Sequence, residues 1–360
     1  MKLAGKSAIV TGSTHGVGRA IALELARHGA RVVVNGRGLG PDGPGTVTDE
    51  ADAVVGEIEA AGGEAIACVG AVNDAAFAER LVATCAERFG SVDILVNNAG
   101  ASGGLSIDLC PPEHWHDVFD VNVNGTYYPS HFAAGYMKRQ HWGRILCCSS
   151  LAHTGFIGGS CYPASKGAVA SLARAMARNL GFYGITSNAF CPEARTRMIN
   201  ANQPGSEIHE AHMKSLERRG FLSAAQVRSL IDLPGPEGIA PFVAYLCLPE
   251  ADYINGQVFN VEGGRIGLVP EPHEIRTLER DVRRDGIWDL ETLCELVPQT
   301  VGVSLRNPVP ARSAEEIEKP SRRSTRCSGR SRRTGNAAST ALESASWSAS
   351  ARGDAPAPAL

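Results

Sequence analysis

Tyr162 and Lys166, in the run Tyr-Pro-Ala-Ser-Lys, offer the plainest chemistry in this sequence. Residues at this spacing lie near one face of a helix. A free phenol titrates near pH ~10 and is a poor base at neutrality. A nearby ammonium favours the phenolate. Just upstream, Ser149 and Ser150 follow an apolar run, Ile145 to Cys148. A serine there can hold a substrate oxygen while Tyr162 gives or takes its proton. That is chemistry for interconverting an alcohol and a carbonyl, if something nearby carries a hydride. The Tyr–Lys spacing alone is weak evidence, so the surrounding elements must supply the rest.

Those elements fall in a consistent order. Ile145 to Cys148 reads as a buried strand, and Pro163 suits the first position of a helix that runs to Leu180. Residues 6–11 read as a strand, followed by a Gly-rich turn, a helix that stops at Gly29, and a strand over 31–35. Gly12, Gly16 and Gly18 form T-G-x-x-x-G-x-G. Glycines there let the backbone approach a pyrophosphate, and the following helix N-terminus attracts its charge. Residues 38–49 read as a surface loop, 50–61 as a helix, 65–69 as a strand and 74–89 as a helix. DILVNNAG (93–100) reads as a strand ending in Asn98, Ala99 and Gly100. A long helix over 112–128 contains Asn122, and a strand covers 184–192. The polar stretch 200–233 reads as a flap over the site or a plain surface insertion. A helix over 236–248 and a last strand over 256–264 complete the pattern. Strands alternating with helices imply a parallel sheet covered on both faces.

Composition agrees. Apolar content of 43% and charged content of 20% over 360 residues fit a soluble globular protein with a sizeable core. A net charge of −3 supplies no global field for nucleic acid or membrane. No apolar run is long enough to span a bilayer. The N-terminal apolar run reads as the first strand, not a signal peptide. The 10 cysteines show no metal-ligand or disulfide spacing, which fits a reducing cytosol with each thiol a small buried hydrophobe. No metal site is expected. Residues 270–298 are charged and weakly helical, with Trp288 as an anchor. From about 311 the chain is rich in Ser, Ala and Arg and is expected to be disordered. The arginines at 322, 323, 326, 330, 332 and 333 read as a solvated tail more readily than as a nucleic-acid or lipid site.

Together these pieces resemble the short-chain dehydrogenase/reductase family, over residues 4–268. The resemblance rests on TGSTHGVG (11–18), NNAG (97–100), VNVNG (121–125), the strand-end serines and YPASK (162–166). It implies a Rossmann-like doubly wound α/β fold in a single domain, 1–268, with an extension over 269–310 and a tail over 311–360. EIEAAGGEA (57–65), PEARTRM (192–198) and GQVFNVEGGRIGL (256–268) resemble the subgroup containing the dehydrogenase unit of peroxisomal multifunctional enzymes. By the resemblance, Tyr162 is the acid/base, Lys166 lowers its pKa and binds the nicotinamide ribose, and Asn122 holds a relay water. Gly12, Ser13, His15, Gly16, Val17 and Gly18 would cradle the cofactor. Asn98, Ala99 and Gly100 would line the adenosine side, and Thr196 would sit near the nicotinamide amide. The family's small-molecule substrates and its homodimers or homotetramers are expected here too.

Several positions depart from the family pattern. Spacing from Tyr162 assigns the catalytic serine to Ser149, whereas the local pattern, with His153 where Gly is usual, aligns Ser150; Ser150 is preferred. Glu193 replaces a usual Gly after Pro192, and Ala71 stands where an adenine-contacting Asp is common. After the second strand come Gly36 and Arg37 where NAD-users commonly carry an acid. A guanidinium there suits a 2′-phosphate, so NADP(H) is favoured and NAD(H) is the alternative. The reading is a cytoplasmic NAD(P)-dependent oxidoreductase for a secondary alcohol or ketone, with a hydroxyacyl thioester, a steroid or a similar hydrophobic substrate. The alternative is a cofactor-binding regulatory or scaffold protein on the same fold.

Overall fold

Four short strands with wholly or almost wholly buried side chains build the centre: β1 (Ser7–Val10), β2 (Arg31–Val34), β4 (Ile94–Asn97) and β5 (Gly143–Cys148). Their continuous apolar runs, rich in Val, Ile and Leu, suit strands covered on both faces. With β3 (Glu64–Ala67), β6 (Ile185–Pro192), β7 (Val258–Glu262) and β8 (Arg265–Val269), they form an eight-stranded sheet in the order β8-β7-β6-β5-β4-β1-β2-β3. Every neighbouring pair is parallel except β7–β8. The computed structural model describes residues 1–305 except 38, 41–42, 45, 156–158, and, within 197–232, all but Lys214 and Glu217. The expected flap lies almost wholly outside the described residues, and the expected tail over 311–360 lies wholly outside them.

Helices α1 (Gly16–Arg27), α2 (Thr46–Ala60), α3 (Ala75–Phe89), α4 (Pro112–Phe119), α5 (Gly125–Gln140), α6 (Cys161–Leu180) and α7 (Ala240–Leu246) cover the sheet. One core lies under α1, α2 and α7, with Ile21, Leu25, Ile58 and Val243. The other lies under α3, α5 and α6, with Leu81, Met137, Val169 and Ala173. Local signals set the helix ends. Asp74 accepts the N–H groups of Ala76 (2.9 Å) and Phe77 (3.1 Å) to cap α3. Gly90 closes α3 at φ 80°, where a Cβ would be strained.

Three expectations are corrected. The chain does not end its sheet at residue 264: Arg265–Val269 turns back as an antiparallel edge strand. The helix expected over 112–128 is α4 and α5 joined by a π-helical turn, Asp120–Asn124. The loop expected over 38–49 holds a two-residue ladder, Leu39–Gly40 against Gly43–Pro44, and α2 begins at Thr46.

Strand order decides where a ligand can sit. The chain runs outward from β1 through β2 to β3, then returns to the other side of β1 at β4. Loops leaving β1 and β4 therefore diverge, and such a reversal opens a crevice at the carboxyl ends of the strands. The chain divides into two compact units, Met1–His273 and Glu274–Leu360. In the second, Arg280 lies over the Trp288 ring at 5.0 Å and pairs with Asp289 at 3.7 Å.

Candidate active site

Thr11, Gly12 and Asn98 join the two strands that flank the crevice. The Thr11 hydroxyl accepts the N–H groups of Asn98 (2.9 Å) and Ala99 (3.0 Å). The Asn98 amide donates back to the carbonyls of Thr11 (3.0 Å) and Gly12 (3.1 Å). This clamp needs a bare backbone: a Cβ on Gly12, which has φ 62°, would lie 2.9 Å from Cα of Ala99. Gly18 is as tightly enclosed, by the Gly12 carbonyl and the Asn98 amide. A Cβ on Gly16 would meet Thr196 at 3.6 Å, so Thr196 flanks the Gly-rich turn.

The turn fits a dinucleotide. No side chain of its glycines fills the concavity, and α1 starts at Gly16 with no acidic residue in its first turn. Its unpaired N–H groups leave a partial positive charge suited to a pyrophosphate. The side chains of two further residues of the turn face the protein. Ser13 is fully buried and its hydroxyl donates to the Val10 carbonyl at 2.7 Å while accepting the Asn35 N–H at 3.0 Å. Val17 is half-buried and packs against the core. His15 is half-exposed, with Nδ1 2.8 Å from the Thr14 hydroxyl and 3.4 Å from the Glu50 carboxylate. Arg37 is exposed at the carboxyl end of β2.

At the entry of α6 the reacting groups gather. Lys166 is buried, 4% exposed, with Nζ 2.7 Å from the Cys148 carbonyl and 5.8 Å from the Tyr162 ring centre. Ser149 donates its hydroxyl to the Lys166 carbonyl at 2.9 Å. These two bonds staple the first turns of α6 to the end of β5. Ser149 is thereby spent on the backbone. Ser150 is half-buried, and its hydroxyl accepts only the Ala152 N–H, at 3.2 Å, among the described residues. His153 turns back onto the Ser150 carbonyl at 2.7 Å.

Asn122 sits in the π-helical turn, fully buried. Its amide accepts the Ala101 N–H at 2.8 Å and donates to the Ala101 carbonyl at 3.0 Å and to the Ser165 hydroxyl at 2.9 Å. Ser165 in turn donates to the Tyr162 carbonyl at 2.8 Å. Gly100 lies between the pieces: a Cβ there would lie 3.1 Å from Asn122 Oδ1 and 3.3 Å from Lys166 Nζ. Tyr162, Lys166, Asn122 and Gly100 thus converge beside the clamp of Thr11 and Asn98.

The family model of the short chain dehydrogenases matches residues 6–205. The chain belongs to the short-chain dehydrogenase family. It is 35% identical over 298 residues to the hydroxyacyl-CoA dehydrogenase ChsB1 of Mycobacterium tuberculosis, covering 80% of this chain and 86% of that one. It is 33% identical over 285 residues to the peroxisomal multifunctional enzyme A of Dictyostelium discoideum, covering 79% of this chain and 58% of that longer one. Among solved structures it is similar to a 7α-hydroxysteroid dehydrogenase complexed with NADH and 7-oxo glycochenodeoxycholic acid, with TM-score 0.63, 31% identity, and coverage of 73% of this chain and 95% of that one. As a member of this family the chain is an oxidoreductase that uses NAD(H) or NADP(H).

Three residues that position the site were not singled out in the sequence. Thr11 and Ser165 carry no signal beyond their place beside a motif. Asn35, at the end of β2, donates to the carbonyls of Cys68 (3.0 Å) and Gly70 (3.2 Å) and accepts the Gly12 N–H (3.3 Å). A polar residue closing the apolar run of β2 was its only mark. Among the described residues no three His, Cys, Asp or Glu side chains gather as metal ligands, and no helix is long and apolar enough to cross a membrane.

Proposed function

We propose that this chain interconverts a secondary alcohol and a ketone, with Tyr162 as acid/base. The convergence of Lys166, Asn122 and Gly100 at the entry of α6 carries this reading. The nicotinamide, when bound, gives or takes the hydride. The chain positions and moves the proton. Ser150 holds the substrate oxygen, Tyr162 exchanges a proton with it, and the Lys166 ammonium beside the ring favours the phenolate. Asn122 holds a water that passes the proton on. Gly12, Gly16 and Gly18 approach the pyrophosphate, with Thr196 against the same turn. Arg37 binds a 2′-phosphate, which makes NADP(H) the preferred cofactor over NAD(H).

The substrate is a hydrophobic ketone or alcohol, a hydroxyacyl thioester first and a steroid second. Leu105 (39% exposed), Ile107 (75%) and Leu109 (68%) on the loop after β4 support an apolar mouth. Residues 1–268 form the catalytic domain, 269–310 an extension and 311–360 a tail. The enzyme works in the cytoplasm as a homodimer or homotetramer. The test follows nicotinamide absorbance with NADPH and NADH against a β-ketoacyl thioester and a steroid ketone. Turnover with NADPH and the thioester is expected. Turnover with neither substrate and either cofactor, despite cofactor binding, would favour a silent scaffold on the same fold.

A further inference from the structure

Ser150 is held from both sides. Upstream, the Ser149 N–H donates to the Phe190 carbonyl of β6 at 2.8 Å, and the Ser149 hydroxyl is fixed to α6. Downstream, the chain enters the 3-10 turn Leu151–Thr154. Such a turn has poorer hydrogen-bond geometry than an α-helix and persists only in short pieces. Here its own side chains brace it. The Ser150 carbonyl accepts two bonds, from the His153 N–H at 3.0 Å and from the His153 ring at Nδ1, 2.7 Å away. The Thr154 hydroxyl donates to the Leu151 carbonyl at 2.8 Å. Gly155, at φ 84°, closes the turn with its N–H on the Ala152 carbonyl at 2.8 Å. Ala152 is buried and Leu151 packs against the core under α6, which anchors the turn to the molecule.

The ring bond governs more than the turn. A carbonyl oxygen only accepts, so Nδ1 carries the proton. With two donors on it, that carbonyl fixes the plane of the peptide that follows Ser150. The Ser150 backbone is extended, at φ −160° and ψ 146°. So placed, its hydroxyl accepts the Ala152 N–H at 3.2 Å. Among the described residues it donates to nothing, so its proton is left for a substrate oxygen. The Gly that is usual at position 153 has no ring to offer; this chain has His.

We propose that His153 is a positioning residue: its Nδ1–H, bonded to the Ser150 carbonyl, aims the Ser150 hydroxyl at the substrate oxygen. The inference rests on the catalytic reading of Ser150. His153 acts through that serine and needs no contact with the reacting atoms. Without the ring bond the carbonyl keeps only the backbone bond of the turn. The peptide after Ser150 is then free to rotate, and the hydroxyl moves with it.

The test compares two amides at position 153 in the full chain, with NADPH and a β-ketoacyl thioester. An Asn side chain places an N–H₂ donor where the His Nδ1–H stands. A Gln side chain places its donor one atom farther out, in place of Nε2. His153→Gln should lower kcat roughly tenfold or more, toward the ~10²-fold that a 1 Å misplacement costs. His153→Asn should recover most of that loss, and cofactor affinity should be unchanged in both. The same substitutions are then made beside Ser150→Ala. There His153→Gln should cost nothing further, because the hydroxyl it aims is gone. A Gln variant with wild-type kcat, an Asn variant as slow as Gln, or losses that simply add to that of Ser150→Ala would overturn the proposal while the function stands. Wild-type turnover in Ser150→Ala, or no turnover in the wild type, would overturn the reading of Ser150 and the role of His153 with it.

Discussion

Ser149 and Ser150 are neighbours with opposite surroundings. Ser149 is buried and donates to the Lys166 carbonyl, whereas Ser150 caps a short 3-10 turn at Leu151–Thr154 and stays half-buried. Ser149→Ala should remove that bond while the carbonyl keeps its place in the α6 ladder, and cost about 0.5–1.5 kcal/mol of stability. A fall in denaturant midpoint checks it. Ser150→Ala should change stability little and lower kcat roughly 10²–10³-fold. The reverse pattern would assign catalysis to Ser149. Spacing within the sequence pointed at one serine and the local pattern at the other. What separates them is the backbone of α6, which no rule of spacing reveals. Glu193 gives a second prediction at this scale. Burial, then the charge of Glu262, raise its carboxyl above the ordinary 4.5, while Asn260 and Arg265 pull it back. A carboxyl raised on folding binds its proton more tightly in the native state. Its favourable contribution holds below the unfolded value and is lost as pH rises through the folded one. Glu193→Gln should therefore flatten the decline in thermal stability above pH 4.5 and leave the protein at least as stable as wild type at pH 7. A destabilised Gln variant at pH 7 would contradict this.

At the scale of elements, the Gly-rich turn and the NNAG strand end act as one clamp. Gly12→Ala places a Cβ 2.9 Å from Ala99 Cα at φ 62°. It should lose cofactor affinity by about tenfold or more, since a strained residue costs of order 1–3 kcal/mol, with a smaller loss of stability. Titration of nicotinamide fluorescence checks it. The strands and most helices were legible because their apolar runs and Gly punctuation are strong. The π-helical turn at Asp120–Asn124 was not, because its apolar period differs too little from that of a plain helix. Asn122 was nonetheless found, through its motif. Strand β8 was missed because RIGLV follows β7 after only two residues, and its exposed Ile266 and Leu268 blur the alternation of a half-buried strand.

For the whole molecule, strand order places the crevice and family membership names the reaction class. Each candidate catalytic and cofactor residue belongs to the unit Met1–His273. Removing 311–360 should therefore leave kcat/KM and its salt dependence unchanged; a marked change would give the arginine cluster a part in turnover. The central claim is that Tyr162 moves the proton at a carbonyl whose hydride partner is the nicotinamide. Tyr162→Phe tests it most directly, with steady-state turnover measured beside cofactor binding. Turnover should fall roughly 10²–10⁴-fold, the usual weight of a positioned acid/base, with cofactor affinity retained. A variant that binds cofactor and turns over ketone like the wild type would contradict it.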